Sequence, residues 1–192
     1  MSDLAPGTPA QLFQARLLPT VAVAAVIAVV VLGGMGLNGA LAAPSAGTLD
    51  IGASVTITAA PGWVLDAAAE GTTSGVQLRK ADAILTAQVI DQSYSGDSAS
   101  IINEAEKELT GATAQISFGD AQNSSINGHD TTYVSFQATV TTSARSGVVD
   151  GEVIAMAVGR DAILFELAAP QGRSGSAVDD VTAMLASVRV GR

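Results

Sequence analysis

From Thr131 to Leu167 apolar side chains recur at every second position in three consecutive segments, a pattern that an antiparallel meander accommodates and a helix does not. In the first segment Val134, Phe136, Ala138 and Val140 share one face, and Tyr133, Ser135, Gln137 and Thr139 the other. Ser143 to Gly147 turns the chain. Val148 to Val158 follows with Ile154, Met156 and Val158 in register, then a compact Gly159-Arg160-Asp161 turn, then Ile163, Phe165 and Leu167. Successive strand residues point to opposite faces, so each segment has one face for a core.

The same period runs through the preceding stretch. Val55 and Ile57 alternate with Ser54, Thr56 and Thr58, Pro61-Gly62 makes a turn, and Trp63-Val64-Leu65 reads as a short strand. The acid- and glycine-containing stretch to Gly75 reads as a loop. Val76 and Leu78 begin another strand, Ala81-Asp82 turns it, and Leu85, Ala87 and Val89 continue on one face. Ile116 and Phe118 mark a short strand before a polar loop, AQNSSINGHD, whose Asn127-Gly128 pair is a tight-turn signal. Trp63, after its Pro-Gly turn, is expected in the core.

Two stretches change period. Between Asp97 and Thr110, Ile101, Ile102, Ala105 and Leu109 fall on one helical face; Asp97 or Ser98 is the cap, and Asn103, Glu104, Glu106, Lys107 and Glu108 face outward. Positions i and i+2 of a helix point apart, so the three glutamates read as a solvated face and not as a metal site. Near the end, Ser176-x-x-Asp179 is a capping-box variant that opens a helix with Val178, Val181 and Leu185 inward, and Val188 and Val190 form a short extension. The expected domain, residues 51–192, is α+β: a twisted antiparallel sheet with two packed helices.

Before it stands an uncharged run of 21 residues, Leu17 to Leu37. As a helix it reaches about 31 Å, against a bilayer hydrocarbon core of about 30 Å. We read it as one N-terminal transmembrane helix, an uncleaved signal-anchor, after a cytoplasmic tail of residues 1–16 and before a flexible linker of residues 38–50. Ala40-Leu41-Ala42 fits a signal-peptidase site, so the alternative is a domain secreted after cleavage near Ala42. Arg16 lies before the run and the first charge after it is Asp50. The positive-inside rule then puts the following domain outside the cytoplasmic membrane.

Charge and composition exclude several functions. After residue 43 there are 17 acidic and 8 basic residues, and such a surface repels nucleic acid. The chain has no cysteine, which removes disulfides and thiolate metal sites. His129 is the only histidine; it reads as an exposed turn residue beside Asp130, with Ser124 and Ser125 nearby in sequence. Adjacent turn residues do not supply the geometry of a Ser-His-Asp triad, and neither G-x-S-x-G nor H-E-x-x-H occurs. No catalytic, cofactor-binding or metal residues are expected.

The stretch Val55 to Trp63, a strand running into Pro61-Gly62-Trp63, resembles the opening of PsbP-like domains. Val178-Asp179-Asp180-Val181 through Met184 to Val188 is similar to their closing helix. The resemblance implies a small exported or lipid-anchored envelope protein with a binding or accessory role. With no lipobox cysteine, anchoring falls to Leu17–Leu37. The expected function is a non-catalytic extracytoplasmic binding or accessory module tethered to the cytoplasmic membrane, with an envelope protein as a partner. A hydrolase using His129 and a structural envelope component are the competing classes.

Overall fold

The computed structural model describes residues 47–66, 75–112, 115–141 and 146–191. In chain order its elements are β1 (Thr48–Gly52), β2 (Val55–Thr58), β3 (Val64–Leu65), β4 (Val76–Lys80), β5 (Ala83–Asp91), α1 (Ser98–Ala112), β6 (Ile116–Phe118), β7 (Gln122–Ile126), β8 (His129–Thr141), β9 (Ser146–Val158), β10 (Asp161–Pro170), α2 (Gly175–Ala186) and β11 (Arg189–Val190). The fold is α+β, with an antiparallel eight-stranded sheet ordered β3-β4-β5-β10-β9-β8-β6, β7 also pairing with β8. The β8-β9-β10 meander is present, β8 and β9 pairing from Asp130↔Ala157 to Thr141↔Ser146.

Both faces of this sheet are covered. On one, α1 presses Ile101, Ile102, Ala105 and Leu109 onto Val134, Phe136, Val153 and Leu164. On the other, α2 and the small sheet cover Leu85, Ile154, Met156 and Phe165. Strands sandwiched this way lose the polar half of their alternation, so β10 is buried continuously from Ala162 to Ala169.

One expectation of a single sheet fails: β1, β2 and β11 form a second, three-stranded sheet. The anticipated linker of residues 38–50 therefore stops short, because Thr48–Asp50 belong to β1, which pairs with β2 and sends Ile51 into the core. Its hairpin turns at Ala53 and Ser54, both at positive φ (54° and 61°) without being glycine. The terminal extension is likewise a strand, Arg189 and Val190 pairing with Thr56 and Val55.

The polar loop of residues 121–130 is also mostly strand. Gln122–Ile126 is β7, an exposed edge strand whose ladder to β8 comes from backbone hydrogen bonds and needs no apolar alternation. Asn127 and Gly128, at φ 52° and 79°, close that hairpin as a two-residue turn. The capping box at Ser176 is absent. Helix α2 begins earlier, with Ser174 at the N-cap and no side-chain cap bond, and the Ser176 hydroxyl donates to Arg173 O (3.2 Å). On α1, Asp97 is the cap, accepting from Ser100 N (2.8 Å), while Glu106 and Glu108 are half-buried rather than fully outward.

No helix among the described residues is long and apolar enough to cross a membrane. Residues 1–16, the Leu17–Leu37 run and Ala40-Leu41-Ala42 lie outside the described residues.

Candidate functional site

The β7–β8 turn, the end of β9 and the last strand meet around a cavity of about 510 Å³ lined by Asn127, His129, Val158, Val188, Arg189 and Val190. Its position follows from three local structures. The tight Asn127-Gly128 turn brings His129 in as the first residue of β8, opposite Ile126. Ser187 caps the end of α2: its hydroxyl donates to Met184 O (2.6 Å) and accepts from Thr58 N (2.7 Å), joining the helix end to β2. The chain then runs directly into β11.

Val158 and Val188 are buried in the floor, and Val190 is 41% exposed on the wall. Around this apolar surface stand three nitrogen-bearing side chains, Asn127, Arg189 and His129. Asn127 Nδ2 donates to Ala186 O at the end of α2. Arg189 Nη1 donates to Val188 O (2.7 Å) and Ala186 O (3.3 Å). A helix C-terminus carries roughly half a negative charge, so the full charge of Arg189 leaves a positive surplus there. No carboxylate is among the lining residues.

His129 thus departs from its expected place: it is a half-buried strand residue, not an exposed turn residue. Asp130, one residue on, faces the opposite side of β8, where its Oδ2 accepts from Ser98 N (2.7 Å) at the start of α1. Next to it Ser98 Oγ and Thr132 Oγ1 share a buried hydrogen bond of 2.7 Å. Ser125 pairs with Asp130, hence on that same side; Ser124 pairs with Thr131 and does not line the cavity. The sequence neighbours His129, Asp130, Ser124 and Ser125 are therefore not assembled as a triad. The Ser100 hydrogen bonds hold Asp97 below the usual carboxylate range, consistent with a cap at a helix N-terminus.

Of the helical glutamates, Glu104 pairs with Lys107 at 3.2 Å on the exposed face. Trp63 is fully buried, as expected of a core residue, and its Nε1 donates to Asp180 Oδ2 (2.9 Å). Lys80 Nζ bonds the same oxygen (2.6 Å). Lys80 first, and Trp63 second, hold the Asp180 carboxyl below its ordinary value. The Pro-Gly-Trp turn and the Val178–Val181 segment, which carry the family resemblance from opposite ends of the domain, are thus in direct contact.

Sequence reasoning reached His129 and the turn that places it, but not Arg189, Val158 or Val190 as its neighbours. The Asn-Gly pair is a local signal; nothing near it in sequence points to residues 188–190.

No family model matches the chain, and no curated protein matches it. Solved structures do. A crystal structure of a protein from Bacteroides thetaiotaomicron is 12% identical and covers 78% of this chain with a TM-score of 0.52; the chain spans only 50% of that protein's length. The solution structure of cyanobacterial PsbP (CyanoP) from Synechocystis is 11% identical, covers 81% of this chain and 100% of its own, and has a TM-score of 0.51. The crystal structure of LpqN, involved in cell envelope biogenesis of Mycobacterium tuberculosis, is 10% identical over 72% of this chain and 83% of its own, at a TM-score of 0.48. The likeness to CyanoP is one of architecture, a PsbP-like α+β fold, and of fold alone.

Proposed function

We propose that this chain is a non-catalytic binding or accessory module, held on the outer side of the cytoplasmic membrane by the Leu17–Leu37 helix. The observation that carries the binding role is the cavity at His129. It offers nitrogen donors over an apolar floor, and its lining contains neither a serine nor a carboxylate to work with the imidazole. The placement of Asp130 on the far face of β8 supports the same reading over a hydrolase. The tether rests on the length of the uncharged run and on Arg16 preceding it.

The tether is tested in cells. The mature N-terminus is expected at Met1 or Ser2, the protein in the membrane pellet after a carbonate wash, and the domain digested by protease added outside. A chain beginning at Ala43 in the culture fluid would establish the secreted alternative, for which Ala40-Leu41-Ala42 speaks. Protection in intact cells with digestion after lysis would invert the topology. Hydrolysis of p-nitrophenyl acetate that is lost in His129→Gln would replace the binding module by an enzyme.

A further inference from the structure

We propose that the cavity between the β7–β8 turn and β11 binds a small organic carboxylate bearing an apolar tail; this rests on the reading of the chain as a binding module and names its ligand class. Two properties of the lining select that chemistry together. One is donor geometry. Both hydrogen bonds of Arg189 use Nη1, so Nη2 and Nε of the guanidinium fork have no hydrogen bond of this kind among the described residues. An amide has two N–H donors, and Asn127 gives Ala186 one of them. His129 adds an imidazole to the same lining, and no acid opposes them. In a chain of net charge −9 this is a local reversal of sign.

The other property is the apolar surface. Val158 and Val188 form a buried floor, and Val190 keeps 41% of its surface exposed, although its residue type favours burial. An uncharged apolar ligand would leave the guanidinium unpaired. A bare inorganic anion would leave the exposed surface of Val190 in contact with water. A carboxylate with a short hydrocarbon tail satisfies both, and about 510 Å³ lies in the range of small-molecule sites. A planar carboxylate also matches the guanidinium fork in geometry.

The chain's single histidine makes the test direct. The full-length protein, carbon-13-labelled at histidine and held in lipid nanodiscs, is titrated with sodium butanoate, butan-1-ol and sodium phosphate, and the one imidazole signal is followed. Butanoate is expected to shift it saturably, with the alcohol and phosphate each at least about tenfold weaker, the factor carried by about 1.4 kcal/mol. Arg189→Gln is expected to weaken butanoate about tenfold, and Val190→Glu, which sets a like charge on the exposed wall, to abolish the shift. Val190 is exposed, so that variant is expected to keep the circular dichroism spectrum of the parent. Equal binding of butan-1-ol reduces the site to an apolar cleft, equal binding of phosphate reduces it to an anion site, and no saturable shift with butanoate removes it; each result overturns the proposal. The N-terminal, protease and ester-hydrolysis results are read independently, so a failed titration with those intact removes the ligand class and leaves the tethered module.

Discussion

Among the described residues, Glu166 carries the largest electrostatic consequence of burial. It stands in the middle of β10, opposite Thr86 of β5 and Val153 of β9, and only 5% of it is exposed. Across β5 lies Gln77, and Gln77 Nε2, Thr86 Oγ1 and Glu166 Oε1 are all buried without a hydrogen-bond partner among the described residues. Burial pushes the Glu166 carboxyl up to about 8, and the nearby charge of Glu108 adds to the effect. In the unfolded chain the group ionises near 4.5, so between 4.5 and about 8 the unfolded state holds fewer protons than the folded one. Its contribution to stability is therefore full in acid, falls as pH rises through that window, and levels off above it. The loss is on the order of a few kcal/mol. Glu166→Gln removes this contribution, so the melting temperature of the variant is expected to gain on that of the parent as pH rises from about 5 to about 8. Parallel curves for the two proteins would show that Glu166 does not titrate this way. The alternation Ile163, Phe165, Leu167 identifies one buried face of β10 and says nothing of the second, because whether that face meets water depends on where α1 lies.

Helix α2 closes the opposite face. Ala177, Val181, Met184 and Leu185 are its buried residues, and Val178, expected inward, is half-buried at the margin. Leu185 is 3% exposed within the larger core cluster. Leu185→Asp puts a charge in that core and is expected to cost several kcal/mol, a large part of an ordinary domain's stability. Thermal melting checks it; an unchanged midpoint would mean that Leu185 does not face the core. The two helices differ in how well their starts can be read. On α1 the cap residue Asp97 precedes the first apolar position and makes the expected bond to Ser100 N. On α2 the run Arg173 to Ser176 offers two serines, Ser174 and Ser176, and the helix begins at Gly175, which places Ser176 inside the first turn where it cannot cap. Strand β7 was missed for a different reason. Only Ile126 at its end packs against the core, so it leaves no periodic signature, and its pairing with β8 rests mainly on the backbone ladder.

At the scale of the molecule the described residues contain two core clusters, one on each face of the large sheet, closed by elements that all lie after residue 47. Residues 44–192 expressed alone are therefore expected to give a folded monomer by circular dichroism and gel filtration; an unfolded or aggregated product would show that the leader completes the fold. What the sequence by itself determined are the local periods: the meander, the amphipathic face of α1, the buried Trp63, the turn at Asn127-Gly128, and the uncharged run that underlies the proposed tether. The meander, the α1 face and the turn depend on side-chain identity and spacing over two to four residues, which backbone geometry imposes wherever the segment lies. Only the tertiary structure decided that there are two sheets, that Glu166 is buried, and that Asn127, His129, Val158 and residues 188–190 line one cavity. The second sheet and the cavity depend on the pairing of β2 with β11 and on the packing of α2, contacts between segments more than a hundred residues apart, and the burial of Glu166 depends on where α1 lies; no local pattern encodes either.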